Sequence, residues 1–497
     1  MKYKIICVVV VITMIFGSFM FQNIKIDNNR HHQHLDAHQK AACTDHGKDV
    51  FCTHLPLMNI VTDAAMPDAY VIDEYGNKTS NEKFVGATIQ YFDNEYENNH
   101  LEDEATISER AAIRVRGASS REYDKKSYLI KFKHEDMVNG KRVSLSGMTA
   151  DSEWVLNGPF MDKTLIRNYL CYNLAGEIME YSPNVRFCEV YLNGEYIGLY
   201  LLMEKVEYNS DGRINIERTD EDMDVTSYIV EIDRKGNDAF REIDTFAAYS
   251  YLYDKSKMNA GHMKIVYPST TLTEEQRNYI ISDISQFEKS LYSFAYSDDA
   301  KGYRNYIDVE SFVDYFLINE FTLNYDAQAL SRYVYKDIGG KLKMCVWDFN
   351  LAFDYYETSV VSPETFVLQS SMWYNQLFKD EAFVNQVVQR YMELRDEYFN
   401  EEYLYQYIDE TIAYLGPAIE RNYDKWGYSF NSEYNGKNYD FLVPIERNVR
   451  SYDEAVAQLK SCIRDRIQHM DANLDRLYLL SHDSLNKKYN YDKEAGY

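Results

Sequence analysis

Apolar and polar positions alternate with a period of two over FVGATIQYFD (84–93) and AAIRVRGASS (111–120), which predicts two strands. A third follows Lys125 and Lys126: Tyr128, Ile130 and Phe132 share one face, Leu129 and Lys131 the other. The spacing then becomes helical over about 162–179, with Asp162 as the expected N-cap. Two apolar runs joined by Asn193-Gly194 form the next hairpin signal, and YIVEIDRKG from Tyr228 reads as another strand. The polar stretches around 209–226 and 250–262 read as loops. TEEQRNYIISDISQFEKSLYSF and DVESFVDYFLINEFTLNYD carry helical spacing behind Thr or Asp caps, whereas SRYVYKDIGGKLKMCVWDFN predicts two short strands around Gly339-Gly340. Residues 376–480 are mostly helical in pattern, and no period repeats along the chain. The class is therefore α+β.

The N-terminus departs from this pattern. Lys2 and Lys4 precede about 17 apolar residues, Ile5 to Phe21, close to the length that spans a bilayer. Residues 1–22 are thus expected to be a signal peptide or membrane anchor, and either puts the body outside the cytoplasm, secreted or membrane-anchored. Residues 23–54 lack periodicity and predict a flexible tether, which carries His31, His32, His34 and His38. The expected parts after it are a strand-rich 55–206, a second part at 207–375, and a helical 376–497.

Composition narrows the partners. Lys and Arg total 53 against 79 Asp and Glu, a net charge of -26, which argues against nucleic-acid binding through phosphate neutralisation. A bound polyanion must be met by locally placed cations. Seven cysteines are too scattered for a disulfide scaffold. Cys43 and Cys52 are near enough in sequence to close a small loop in an oxidising compartment; Cys171, Cys188, Cys345 and Cys462 sit in apolar runs and read as buried thiols. No Cys-x-x-Cys pair or Cys/His spacing points to zinc.

Candidate chemistry gathers at MCVWDFNLAF (344–353), where Asp348 lies among Trp347, Phe349 and Phe353. It is either a structural acid paired with an arginine or the ligand of something. Upstream, Asp326 opens a loop and Ser331 stands five residues on, before the predicted hairpin. Helix, loop, hairpin and acidic-aromatic tripeptide follow one another as in protein kinases, where such groups position the acceptor hydroxyl and hold the metal on the phosphates.

At these residues the chain resembles the spore-coat-protein-H-like (CotH) kinase family over roughly residues 55–480. The resemblance is carried by IRVRGASSREYDKKSYLIKF, WVLNGPFMDKTLIRNYL, VYLNGEYIGLYLLMEKVE, YIVEID, NYDAQALSRYVYKDIGGKLKMCVWDFNLAF and LKSCIRDRIQHMDANL, in that order. It implies an atypical, minimised, two-lobed protein-kinase-like fold that uses ATP and Mg2+ or Mn2+ to phosphorylate Ser or Thr of extracytoplasmic proteins. It further implies Asp326 as the catalytic-loop aspartate, Asp348 as the metal ligand and Ser331 at the second metal position. Arg116 and Lys126, with Lys131 behind them, become candidates for phosphate contacts. Asp162 and Arg167 match the family's helix motif, and Glu204 falls where the strand-rich part passes into the hinge. Ser331 stands where many relatives carry Asn, and Cys345 where Gly-Pro is common. Those departures fit low or lost turnover, so the alternative is a surface-anchored binding or adhesion protein on the same fold.

Overall fold

The computed structural model describes residues 32–38, 40, 43, 50–72, 74–236, 238–250, 261–353 and 362–481. The expected membrane segment lies outside these residues. Among the described residues no helix is long and apolar enough to cross a membrane.

The first strands, β1 (Leu57–Thr62), β2 (Tyr70–Ile72), β3 (Lys78–Ser80), β4 (Val85–Phe92), β5 (Ile107–Arg116), β6 (Ser127–Phe132), β7 (Glu153–Asn157), β8 (Val185–Leu192) and β9 (Glu195–Glu204), build a barrel and a small ribbon. The barrel closes in the order β1-β4-β5-β6-β7-β9-β8, with β2 and β3 paired separately. Closure removes the unpaired strand edges that an open sheet exposes. Alternation decides what each strand buries. Ile130 and Phe132 join Ile60, Ile89, Ile113 and Trp154 inside the barrel, while Leu129, Val155, Leu201 and Met203, of opposite parity, belong to the main core. Strands buried on both faces read as continuous apolar runs, which is why IGLYLLM in β9 shows little alternation.

Helix α1 (Arg167–Ile178) is buried along most of its length, and its Tyr169, Leu170 and Leu174 belong to the core that the outward residues of the barrel enter. The sequence predicts this helix from Asp162, but it begins five residues later. Asp162 accepts from the amide and hydroxyl of Thr164 and from the amide of Arg167. A short acidic side chain that satisfies local donors stabilises a turn in place of another helical turn, and Leu165 takes the left-handed conformation there.

Beyond the barrel come β10 (Tyr228–Asp233), β11 (Glu242–Ile243), β12 (His262–Tyr267), α2 (Glu274–Leu291), α3 (Val309–Phe321), β13 (Arg332–Lys336) and β14 (Lys343–Val346). They supply an antiparallel five-stranded sheet ordered β11-β12-β10-β13-β14. Thr273 caps α2 in a reciprocal capping box with Gln276, and Asp308 caps α3. The stretch at 250–262 that reads as a loop runs straight into β12, where Met263, Ile265 and Tyr267 alternate inward; residues 251–260 lie outside the described residues.

The last helices, α4 (Glu381–Glu397), α5 (Glu401–Leu415), α6 (Pro417–Trp426) and α7 (Tyr452–Asn473), reach back to earlier elements. Asn422 of α6 accepts from the Leu199 amide (3.2 Å) and the Lys125 ammonium (2.8 Å), and Trp426 donates to the Ile197 carbonyl. Arg466 of α7 meets Glu320 of α3 at 2.8 Å, both side chains fully buried. The same arginine donates to the carbonyls of Pro363 and Thr365, and Glu320 accepts from the amides of Val367 and Leu368. Part of the expected tether is docked as well: His32 contacts Glu177 at 2.7 Å, and His34, whose pKa burial lowers to about 4, packs on Tyr169 and Tyr407.

Two outcomes follow for stability. Removing one partner of a fully buried pair leaves the other charge uncompensated, so Arg466→Met should cost about 3–5 kcal/mol in urea unfolding; adding Glu320→Leu should recover part of it. Lys163, buried against Phe160 and Ser429, has its pKa lowered by desolvation to about 7, with Asp162 pulling the other way. The unfolded chain keeps that proton up to about pH 10.5, so between pH 7 and that value the unfolded state binds more protons and stability rises with pH. Unfolding at several pH values should show this slope in the wild type and a smaller one in Lys163→Met.

Candidate active site

Three strand ends meet at one rim of the second sheet. Ile232 pairs with Arg332 and Arg332 with Val346, so Asp233, Ser331 and Trp347 fall side by side where β10 ends, before β13 begins and after β14 ends, with Asp348 one residue further. Opposite stands the turn between β5 and β6, closed where Arg116 pairs with Ser127. Gly117 is needed there: its φ is +112°, and a Cβ would lie 1.9 Å from the Ser120 hydroxyl oxygen. Between the two lies a cleft of about 330 Å³ lined by Arg116, Asp162, Asp233, Asp326, Ser331 and Asp348, among others.

Helix α1 holds the acidic loop. The Asp348 amide donates to the Tyr172 hydroxyl (2.8 Å), and the Phe349 amide to Asn168 (2.9 Å). Asn168 also donates to the Asn350 side chain, and Arg167 to the Ala352 carbonyl (3.1 Å). From the Asp326 side, Asn324 donates to the Asp348 carbonyl (3.1 Å). These contacts hold Asp348 at a φ of +59°, a conformation that costs a non-glycine residue about 1–3 kcal/mol; Ser331, at +53°, shares it. Asp326 sits half-buried on a short 3-10 turn, Tyr325–Gln328.

The electrostatics suit a negatively charged guest. Burial pushes the Asp348 carboxyl up, and the Arg116 guanidinium, helped by Arg234, pulls it back down. Burial raises Asp233 too, with Glu231 and Asp348 adding to the effect. Arg114 and Arg121 are both paired with Glu82. Arg116, which stacks 5.8 Å from the Trp347 ring centre, and Arg234 form no ion pair among the described residues. Two cations therefore face the carboxylates without an ion-pair partner among the described residues.

The fold brings together Asp326, Ser331, Asp348, Arg116 and Asp162. Four other candidates do not line the cleft. The Lys126 ammonium is taken up by the carbonyls of Arg121 (2.8 Å) and Tyr123 (2.6 Å), pinning the turn it belongs to. Lys131 has the outward parity of β6 and pairs with Glu153 beside Lys205. Glu204 is buried at the end of β9, accepting from the Asn184 amide. Arg167 is fully buried in its pair with Asp162, so it positions the loop and does not reach the cleft. Asp233 and Arg234 are cleft residues that sequence reasoning missed; the acid-base pair ending YIVEIDRKG was the available signal. Asn168, Tyr172 and Asn324 gave none, since their partners are loop amides and a carbonyl far away in sequence.

Comparison with known proteins matches residues 113–470 to the family described as CotH kinase protein. Inner spore coat protein H of Bacillus subtilis (strain 168) is 26% identical over 243 residues, covering 48% of this chain and 57% of that protein. The chain thus spans little more than half the length of that relative.

Asn168→Ala leaves the Phe349 amide without its acceptor in a buried setting, at a cost of about 1–3 kcal/mol. Amide hydrogen exchange should accelerate at 347–350 while the barrel strands keep their protection. Unchanged exchange at 347–350 would show that α1 does not hold the loop.

Proposed function

Because the chain belongs to the CotH kinase protein family, we propose that it moves the terminal phosphate of ATP to Ser or Thr hydroxyls of proteins outside the cytoplasm, using Mg2+ or Mn2+. The observation that carries this reading is the convergence of Asp326, Ser331 and Asp348 on one wall of a cleft whose other side offers Arg116. In it the fold is a minimised, two-lobed kinase-like one: the barrel and its 117–126 turn cover the phosphates, and the second sheet with its helices carries the acids. The proposed parts are 55–206, 207–375 and a helical 376–497. The extracytoplasmic setting and a membrane attachment rest on the apolar run at residues 5–21.

The donor set fits a hard divalent cation. Carboxylates of Asp348 and Asp233, the Ser331 hydroxyl and the Asn350 amide oxygen are all oxygen ligands, and among the described residues the lining contains neither thiol nor imidazole. Held by Asp348, with Ser331 serving a second position, such a cation would offset the phosphate charge that the carboxylates otherwise repel. Arg116 and Arg234 bind phosphate oxygens through charge-assisted hydrogen bonds. Asp326 orients the acceptor hydroxyl and takes its proton as the oxygen attacks. Lys126 serves indirectly by fixing the turn.

Ser331 favours a second reading. Its single short oxygen is a poorer ligand than an Asn side chain, which suits slow turnover or a surface-anchored binding protein on the same fold.

The full chain, given terminally labelled ATP with Mg2+ or Mn2+, should label itself or a generic protein acceptor. Asp348→Ala and chelation should abolish transfer, and Asp326→Asn should lower it about 10²–10⁴-fold, the range for a lost general base. Transfer that survives both substitutions removes these residues from the chemistry. ATP binding without transfer in the wild type would favour the binding protein.

A further inference from the structure

We propose that Cys43, Cys52 and His100, away from the cleft, form a binding site for a cation of the Zn2+ class that fastens the N-terminal segment to the barrel. One donor atom from each residue lies within 4.8 Å of the other two. A tetrahedral Zn2+ with ordinary Zn–S and Zn–N bonds needs ligand separations of about 3.5–3.8 Å. The Cys43 sulfur is 3.2 Å from Nε2 of His100, so small side-chain shifts admit the ion.

The site is built from two directions. Thr53 and Asn99 form an antiparallel bridge, through amide–carbonyl bonds of 3.2 and 2.7 Å, which places Cys52 opposite His100. Cys43 then arrives from the N-terminal side. His100 is buried, and its Nδ1 lies 3.0 Å from an Asp103 oxygen that also accepts the His100 amide. That carboxylate holds the proton on Nδ1 and turns the Nε2 lone pair toward the sulfurs, the outer-shell arrangement of metal-bound histidines. Asn98 donates to the Cys52 sulfur at 3.3 Å and fixes its position beside His100. Both cysteines are thiols here, in place of the disulfide their sequence spacing allows. Binding exchanges the two thiol protons for one cation and leaves a fourth position for water. The ion then ties residue 43 to the barrel, closing the 43–52 segment by coordination.

The test uses the full chain, reduced and stripped of metal, titrated with Co2+ and followed by its visible ligand-field and thiolate charge-transfer bands. We expect one Co2+ per chain, displaced by Zn2+, with thiolate bands that separate this site from adventitious binding by His31, His32, His34 and His38. Cys43→Ser and Cys52→Ser should each diminish those bands, and the Cys43/Cys52 double serine variant should lose them. Asp103→Asn should weaken binding about 10–100-fold. Circular dichroism should stay unchanged in Cys43→Ser, because that residue is exposed. The proposal fails if the reduced wild type shows no thiolate bands, or if it binds Co2+ no better than the double serine variant. It fails equally if the isolated chain carries a 43–52 disulfide and takes up no metal after reduction.

Discussion

The cleft depends on one constraint: a carboxylate placed at the end of a buried strand has to be held in a left-handed backbone conformation that a non-glycine residue would otherwise leave. Asp348 is kept there by Tyr172 and Asn168 of α1 and by Asn324 beside Asp326. Each of those bonds engages a backbone group of the loop, while the carboxyl accepts from the Asn350 amide (3.2 Å) and lines the cleft. The helix is in turn fixed by the core it shares with the barrel, through residues such as Leu129 and Met203. Packing far from the chemistry thus sets where the charge stands.

The charge balance of the cleft differs from that of the molecule. A chain of net charge -26 repels polyanions at long range, although at physiological salt that field is screened within about 8 Å. At closer range the turn after β5 and the end of β10 present Arg116 and Arg234, while Arg114 and Arg121 are already paired with Glu82. Local placement of two arginines, not overall composition, sets the positive charge of the cleft. Burial raises the carboxyls of Asp348 and Asp233, so both lose their protons most readily when cations are near.

The segment following the acidic loop is restrained from the far end of the chain. Arg466 and Glu320 share a buried pair that also engages backbone at 363–368. Helix α6 likewise ties residues after 416 to the barrel through Asn422 and Trp426. The C-terminal helices therefore brace both the barrel and the segment at 363–368.

Periodicity was enough to read β4, β5 and β6 of the barrel and the capped helices, because alternation and helical spacing record which face of each element is buried; turn residues marked the Asn193-Gly194 and Gly339-Gly340 hairpins, and β7, a run buried on both faces, gave no alternation to read. The order Asp326, Ser331, hairpin, Asp348 was legible because a short hairpin returns the chain to its start, making sequence spacing a measure of distance. Only the tertiary structure decided that Lys126 binds its own turn and Lys131 an outer glutamate, that Asp162 satisfies a turn in place of capping a longer helix, and that Asp233 joins the acids. It also placed His100 beside Cys43 and Cys52. Hydrogen bonds and ion pairs between residues remote in sequence depend on register and on which element crosses which, and a single chain's residue pattern carries neither.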